Sequence, residues 1–124
     1  MAGAITFTEM ASKSYSVKSV LAEWTSDASG DATGTTTESY EGEIIYFATI
    51  PDTSTGLIPS PLYDIVVRDS DGFDVLAGEG GDRASGVEEE ADDVVLGATN
   101  WSKLAFTISN AGNVTAGAIK IWIR

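Results

Sequence analysis

The sequence predicts an all-β protein that folds as a single antiparallel β-sandwich of about seven or eight short strands. A jelly-roll-like order of these strands is one possible arrangement. Apolar and polar residues alternate over several short segments, and clusters of Gly, Asp, Asn, Ser and Pro separate those segments. No segment of useful length repeats its apolar residues with the 3.6-residue period of a helix. The 124 residues and 13.0 kDa suit one domain, which at this size buries roughly two-thirds of its unfolded surface.

Residues 1–16 predict an N-terminal arm or a short edge strand. Ile5 and Phe7 are separated by Thr6, which is the alternation of a strand with one apolar face. A polar run then interrupts the alternation. The β-sandwich domain is therefore predicted over residues 17–124.

A strand and a loop are predicted at the start of this domain. Residues 17–24 place Val20 and Trp24 on one face of a strand. Residues 25–39 are rich in Gly, Ser, Thr and Asp, which predicts a loop. The last part of that loop, residues 35–37, could extend into the next strand.

Residues 40–49 form the longest predicted strand. Ile44 and Tyr46 are predicted to share one face, and Ile45 and Phe47 the other. Because both faces are apolar, we expect the strand to be covered on both sides by sheet, arm or a neighbouring subunit.

A rigid irregular connection follows at residues 51–61, which hold all three prolines. A hairpin is then predicted over residues 63–78, because an Asp-Gly turn signal stands between its two alternating halves. Residues 78–93 predict a long acidic, Gly-rich loop, and a short apolar segment follows at residues 94–96.

A second hairpin is predicted at the end of the sequence. Residues 103–109 and 114–123 both alternate, and the Asn-Ala-Gly-Asn between them tolerates positive φ. In the last segment Ile119 and Ile121 are predicted on one face and Trp122 on the other.

Composition and charge exclude several classes of function. Seven Lys and Arg against 19 Asp and Glu give a net charge of −12, which repels nucleic acid and anionic membranes. There is no His, the usual general base, and no Cys for a disulfide or a thiolate metal site. No apolar run approaches the ~20 residues of a membrane helix, and the first residues lack the pattern of a signal peptide. We therefore expect a soluble protein made in the cytoplasm, with no nucleic-acid or membrane partner.

Three acidic segments could bind a metal ion or catalyse hydrolysis. Each could instead be a solvated loop or a turn without such a function. Residues 27–38 space their oxygen-bearing side chains like a calcium-binding loop, but lack the glycine that such loops need at the sixth position. Asp69, Asp71 and Asp74 could converge on Ca²⁺, whereas a hairpin turn at that place needs no ion. Carboxylates of residues 88–93 could form a glycosidase pair, but no sugar-binding cleft is indicated. Solvated or turn-forming roles are favoured, so we expect no metal, no cofactor and no enzyme activity.

Three runs of sequence resemble those of small virion structural proteins of tailed bacteriophages. They are Glu-Trp-Thr-Ser-Asp-Ala-Ser-Gly within residues 19–30, Tyr-Asp-Ile-Val-Val-Arg-Asp-Ser-Asp-Gly-Phe-Asp-Val-Leu-Ala-Gly at residues 63–78, and the closing segment with Ser-Asn-Ala-Gly-Asn at 109–113 and Ile-Trp-Ile-Arg at 121–124. The resemblance covers most of residues 17–124 and includes no catalytic motif.

Among such proteins, a small acidic β-sandwich is most similar to capsid cement, or decoration, proteins. The resemblance implies a non-enzymatic protein on the capsid surface of the virion, bound to the major capsid protein and assembled as a homo-oligomer, with a trimer favoured. Two alternatives stay open: a tail, baseplate or fibre-associated structural protein, and a carbohydrate-binding or calcium-dependent adhesion module. The residues expected to contact a partner are Ile5, Phe7, Tyr40, Tyr46, Leu57, Ile58 and Trp122.

Overall fold

The computed structural model describes residues 3–10, 17–92, 99–100 and 102–124, and these residues are all-β. The strands in the described residues are β1 (Ala4–Met10), β2 (Lys18–Thr25), β3 (Ala32–Thr35), β4 (Gly42–Pro51), β5 (Asp64–Arg68), β6 (Glu89–Asp92), β7 (Thr99–Asn100), β8 (Ala105–Ser109) and β9 (Ala116–Ile123). Every pair of strands among them is antiparallel. These residues include no helix of the length and apolarity that a membrane crossing requires. The predicted antiparallel β-sandwich is confirmed.

The strands form two sheets around one core. The large sheet has the order β1-β2-β9-β4-β6, with β7 also paired to β4, and the small sheet has the order β3-β8-β5. From β2 onward the chain passes between the sheets in the order of a jelly roll. Residues 73–83 lie beside β5, where Val75 N donates to Val67 O (2.8 Å) and Arg83 bridges to Tyr63. This segment takes the place of the eighth jelly-roll strand.

The core lies between the sheets because the central strands each bury one face. Ile119 and Ile121 of β9 and Phe106 and Ile108 of β8 are at most 1% exposed. Their spacing of two residues is the period of a strand, so the apolar faces predicted for both segments are confirmed.

The prediction that the last two strands form a hairpin is wrong, because these strands belong to different sheets. β8 pairs with β3 and β5, whereas β9 pairs with β2 and β4. The connection between them has positive φ at Asn110 (59°), Gly112 (89°) and Val114 (50°). Ser26 Oγ, at the end of β2, donates to Gly112 O (2.8 Å) and holds this connection against the large sheet. The connection therefore carries the chain across the sandwich, and the two strands face each other through the core.

The hairpin predicted over residues 63–78 forms its turn but not its second strand. Gly72 has a φ of 86°, and its N–H donates to Asp69 O (3.0 Å). Beyond Asp74 the chain continues in successive turns, because the Asp74 carboxylate accepts hydrogen bonds from two backbone amides that follow it. The prediction of a second strand in this hairpin is therefore wrong.

Two short strands lie in segments predicted as loops. β3 lies within residues 25–39, and β6 lies within residues 78–93. Neither has a long apolar alternation, and each is ordered by pairing with a strongly apolar strand, β3 with β8 and β6 with β4. The apolar segment at 94–96 lies outside the described residues.

A β-bulge in β4 changes the faces predicted for that strand. The register shifts between Ile44 and Tyr46. The extra residue, Ile45, allows Ile44 and Phe47 both to be fully buried while Tyr46 remains partly exposed. The prediction that Ile44 and Tyr46 share a face is therefore wrong.

β1 is the edge of the large sheet and closes one side of the sandwich. It pairs with β2 over its whole length, and Ile5 and Phe7 pack against the core. The Glu9 carboxylate accepts hydrogen bonds from Thr37 N (3.0 Å) and Glu38 N (3.1 Å), in the connection that follows β3. Of the two forms predicted for the N-terminal segment, its described part has that of an edge strand.

Candidate interaction surface

The outer face of the large sheet carries a stacked aromatic pair. Tyr46 of β4 and Trp122 of β9 are partners in the ladder, and their ring centroids lie 4.6 Å apart with the planes inclined by 32°. The bulge turns Tyr46 away from the core, and the alternation of β9 places Trp122 opposite the buried Ile121. Trp122 is 37% exposed. The inclined stacking of the two rings is a favourable aromatic geometry, so the pair forms one aromatic surface.

Two aliphatic side chains extend this surface. Met10 of β1 is 49% exposed and lies in the same cross-strand row as Trp122, with Ser19 between them. Val17, which is 37% exposed, directly precedes β2 at the same end of the sheet. We call Met10, Val17, Tyr46 and Trp122 the aromatic patch. Exposed apolar side chains that are grouped at one end of a sheet face can mark a site of interaction.

Charged groups border the aromatic patch. Lys120 Nζ lies 5.4 Å from the centroid of the Trp122 ring, within cation–π distance. Burial, and then the carboxylates of Glu90 and Glu88, raise the pKa of the Tyr46 hydroxyl. Tyr46 therefore stays neutral, and its hydroxyl proton is engaged by the Glu90 carboxylate. Aromatic rings surrounded by charged and polar groups form the arrangement of a protein interface, with an apolar centre and a polar rim.

The structure places the other predicted contact residues in different settings. Ile5 and Phe7 are half-buried against the core, and Tyr40 is fully buried. Leu57 is half-buried in the connection after β4, and the adjacent Ile58 is 47% exposed. Of these five residues only Ile58 offers a largely free side chain, and it lies at the opposite end of the sandwich from the aromatic patch.

Tyr40 and Glu9 join β1 to the rest of the fold. Tyr40 Oη donates a hydrogen bond to the Glu9 carboxylate (2.8 Å). Burial, and then Glu9 itself, raise the pKa of Tyr40 far above its usual range, so the hydroxyl keeps this proton. Burial alone would raise the pKa of Glu9, but hydrogen bonds from Thr37 N, Glu38 N and Tyr40 Oη outweigh it and lower that pKa.

The carboxylates considered for a metal organise backbone turns. Asp69 Oδ1 accepts hydrogen bonds from Asp71 N (2.9 Å) and Phe73 N (3.0 Å). Asp74 and Asp27 each accept from the amides two and four residues further along the chain. The side chain of Asp71 is exposed. In the part of the chain that the structure describes, no three His, Cys, Asp or Glu side chains are arranged to hold a metal ion.

Arg83 organises the acidic segment that was predicted as a loop. It is 7% exposed, and its Nε donates to Thr49 Oγ1 (3.1 Å) while Nη1 donates to Glu79 O (2.6 Å). Its guanidinium carbon lies 4.8 Å from the centroid of the Phe47 ring, and Glu89 Oε1 lies 3.5 Å from Nε. The one sequence signal for this role is that Arg83 is the single cation in the most acidic part of the chain. Glu89, one of the residues considered for a glycosidase pair, is thereby engaged within the fold.

Half of the aromatic patch is predictable from the sequence. Tyr46 and Trp122 were predicted as contact residues, and the alternation of the last strand is the signal that turns Trp122 outward. Met10 and Val17 were missed because they join the patch only through the register of β1, β2 and β9. Register between distant strands has no local signature.

A comparison with protein-family models finds no match to this chain, and comparisons with curated proteins and with solved structures find none either. The proposed function is therefore based on the fold and surface of the chain, together with the resemblance of three runs of its sequence.

Proposed function

We propose that this chain is a non-enzymatic structural protein of a tailed-bacteriophage particle, a capsid cement protein that binds the outer shell and stabilises capsomer junctions. The observation that carries the proposal is the aromatic patch on the outer face of the large sheet. The jelly roll supports it, because this architecture recurs in viral capsid domains. The resemblance of three runs of the sequence to small phage virion proteins supports the choice of particle.

The face of the large sheet suits a partner better than the sheet edges do. β1 and β3 approach each other where the edges of the two sheets meet, and residues 73–83 cover the outer side of β5. A covered edge cannot accept an additional strand from another chain. The fourth edge, β6, is only four residues long, and short edge strands disfavour the addition of a strand. The outer face with the aromatic patch is therefore the better surface for a partner.

The chemistry of the patch is that of an interface anchor. Trp122 and Tyr46 offer large, rigid rings, and tryptophan and tyrosine supply many of the residues that dominate binding energy. A cement protein needs only a modest interface of ~800 Å² per partner, because repetition across the shell converts modest affinity into large avidity. The partner in this proposal is the major capsid protein.

Assembly and location follow from the same role. A homo-oligomer, with a trimer favoured, would engage several capsid subunits at once and gain from their high effective concentration. The protein would be made in the host cytoplasm and end on the capsid surface. Its net charge of −12 argues against nucleic acid or an anionic membrane as its partner.

The copy number and location of the chain in purified particles test this role. We expect many copies on the head, in proportion to the number of capsomer junctions. A few copies on the tail would contradict the cement role and favour the alternative, a tail, baseplate or fibre-associated structural protein. Sedimentation of the free protein tests the oligomer, and a strict monomer at all concentrations would contradict the trimer.

One observation favours a second candidate, a carbohydrate-binding or calcium-dependent adhesion module. An exposed aromatic pair can stack on a sugar ring. Calorimetric titration with Ca²⁺ and a panel of glycans distinguishes the two, and for a cement protein we expect no heat of binding. Saturable heat that disappears in Trp122→Ala would replace the cement role with glycan binding.

A further inference from the structure

The outer face of the large sheet also contains a groove, at the opposite end from the aromatic patch. Its volume is about 490 Å³. Three small residues of β9, Ala116, Gly117 and Ala118, form its floor, and Ile50 and Pro51 of β4 line one side. Because larger side chains stand on the neighbouring strands, the surface is depressed along β9.

The groove is acidic. Glu23 of β2 is exposed and lies directly opposite Ala118 in the ladder, and Asp52 follows the end of β4. Thr6 and Thr25 add hydroxyl groups, and no lysine or arginine is among the lining residues. A cation entering the groove would meet two carboxylates and no competing positive charge from its walls.

The groove and the aromatic patch are continuous along β9. Ala118, Lys120 and Trp122 alternate with the buried residues of that strand and so lie on the same outer face. Lys120 Nζ lies beside the Trp122 ring, which keeps the positive charge of this face at the patch end. A partner lying along the sheet therefore meets an apolar surface at one end and an anionic depression at the other.

We propose that the groove receives a lysine or arginine side chain of the partner protein. This inference rests on the proposed function, in which the outer face of the large sheet docks on a protein shell. The aliphatic stem of the incoming side chain packs on the Ala and Gly floor, while its cationic head pairs with a carboxylate of the groove wall, Glu23 or Asp52. A second copy of this chain is a poorer occupant, because it has only seven Lys and Arg residues against 19 Asp and Glu, and Arg83 among them is buried.

The groove can be tested on the isolated protein with N-acetyl-arginine amide as the probe and the citrulline derivative as its uncharged counterpart. In NMR titrations we expect saturable amide shifts at Thr25, Gly117 and Ala118 with the arginine probe and none with the citrulline probe. Equal shifts with both probes, or no saturable shift at these amides, would overturn the proposal.

A matched pair of double variants distinguishes binding in the groove from a general effect of the protein's net charge. Glu23→Gln with Asp52→Asn removes both groove carboxylates, and the asparagine keeps an acceptor for Ser54 N, to which Asp52 Oδ1 is bonded (2.7 Å). Glu38→Gln with Asp71→Asn removes two exposed carboxylates at the other end of the sandwich. We expect the groove variant to bind the arginine probe about tenfold more weakly and the control variant to bind it like the wild type. Equal weakening in both variants would show that only net charge matters, which contradicts the proposal.

The same variants applied to purified capsid shells distinguish this inference from the proposed function. We expect the groove variant to bind shells more weakly than the control and with a smaller dependence on salt. If the wild type binds shells and both variants bind them equally, the groove inference is wrong and the cement role stands. If the wild type does not bind shells, the proposed function fails, while the arginine titration still decides whether the groove takes a cationic side chain.

Discussion

Tyr46 and Trp122 stack across β4 and β9 with ring centroids 4.6 Å apart, on the side of the large sheet that faces away from the core. Their pairing depends on the bulge at Ile45, which turns Tyr46 outward while its neighbours remain buried. Without the bulge, Tyr46 would share the face of Ile44 and point into the core. An exposed aromatic pair built by a local irregularity is more easily explained by binding than by folding.

Truncation of Trp122 is expected to weaken shell binding while the protein remains folded. Trp122→Ala should reduce affinity for capsid shells about 30-fold, which corresponds to ~2 kcal/mol, because it removes the largest ring of the aromatic patch. The free energy of unfolding should also fall, by about 1–2 kcal/mol, because Trp122 is only 37% exposed and stacks on Tyr46. Co-sedimentation with shells measures the first and urea denaturation the second. Phe73→Ala removes an aromatic ring that is 59% exposed in the turn after β5, and shell binding equal in the two variants would contradict the role of the patch.

Loss of the Phe7 ring is expected to destabilise the whole domain. Phe7 packs against Phe106 with ring centroids 5.3 Å apart, so Phe7→Ala should lower the free energy of unfolding by about 1–3 kcal/mol. Thr8→Ala, the neighbouring exposed position on β1, is the control and should change it by less than ~0.5 kcal/mol. Equal unfolding midpoints for the two variants in urea would mean that β1 is an arm that contributes nothing to the stability of the fold.

The Glu9 carboxylate is expected to make stability depend on pH in the acidic range. Its pKa in the folded protein is lower than its ordinary value of 4.5, because the hydrogen bonds from Thr37 N, Glu38 N and Tyr40 Oη outweigh the effect of burial. A lowered folded pKa gives stability that is present above pH 4.5 and lost as the pH falls through the folded pKa.

Glu9→Gln should therefore lower the free energy of unfolding by up to ~1 kcal/mol at neutral pH, because solvent screens this partly exposed carboxylate, and by little at pH values below the folded pKa. Unfolding in urea across the acidic range measures the difference, and Glu41→Gln, an exposed carboxylate before β4, is the control. A Glu9→Gln effect that is the same at acidic and neutral pH would contradict the ionic character of this contact.

Replacement of Arg83 by lysine is expected to be costly despite the conserved charge. A lysine cannot donate to both Thr49 Oγ1 and Glu79 O from the planar geometry that a guanidinium provides. Arg83→Lys should lower the free energy of unfolding by about 1–3 kcal/mol. Arg68→Lys, at an exposed position on β5, should change it by less than ~0.5 kcal/mol, and equal stability of the two variants would contradict the organising role of Arg83.

The Asp69 carboxylate is expected to stabilise its turn without calcium. Asp69→Ala removes the acceptor for Asp71 N and Phe73 N and should lower the free energy of unfolding by about 1 kcal/mol. Asp71→Ala is the control, because its carboxylate is exposed. The melting temperature of the wild type should not change when calcium is added in millimolar excess or when a chelator removes it. An increase with calcium that Asp69→Ala abolishes would show an ion site in place of a turn.

The sequence predicts strands more reliably than their partners. The segments that became β8 and β9 were recognised from their alternation, and so were their buried faces. Their pairing was not, because Asn-Ala-Gly-Asn allows both a hairpin and a connection between two sheets. The chain forms a connection because β8 pairs with β3 and β5, and β9 with β2 and β4, instead of with each other. Such pairing with distant strands depends on the whole chain.

For single residues of the candidate surface, too, only features with a local sequence pattern are predictable. Trp122 was predictable because its alternation with Ile121 is local. The orientation of Tyr46 was not predictable, because the bulged residue in β4 reverses which face of the sheet each following side chain takes. Arg83 and Glu9 act through contacts with residues 34 and about 30 positions away, and no local pattern marks such partners.

Docking of the large sheet on a capsid shell is tested most directly by a cryo-EM reconstruction of purified heads that carry the protein. We expect density for this chain on the outer shell at capsomer junctions, with Met10, Tyr46 and Trp122 against the capsid and the small sheet away from it. Density in which β3, β8 and β5 contact the capsid while the aromatic patch faces solvent would contradict the proposed docking surface, and a head without the chain would contradict the cement role itself.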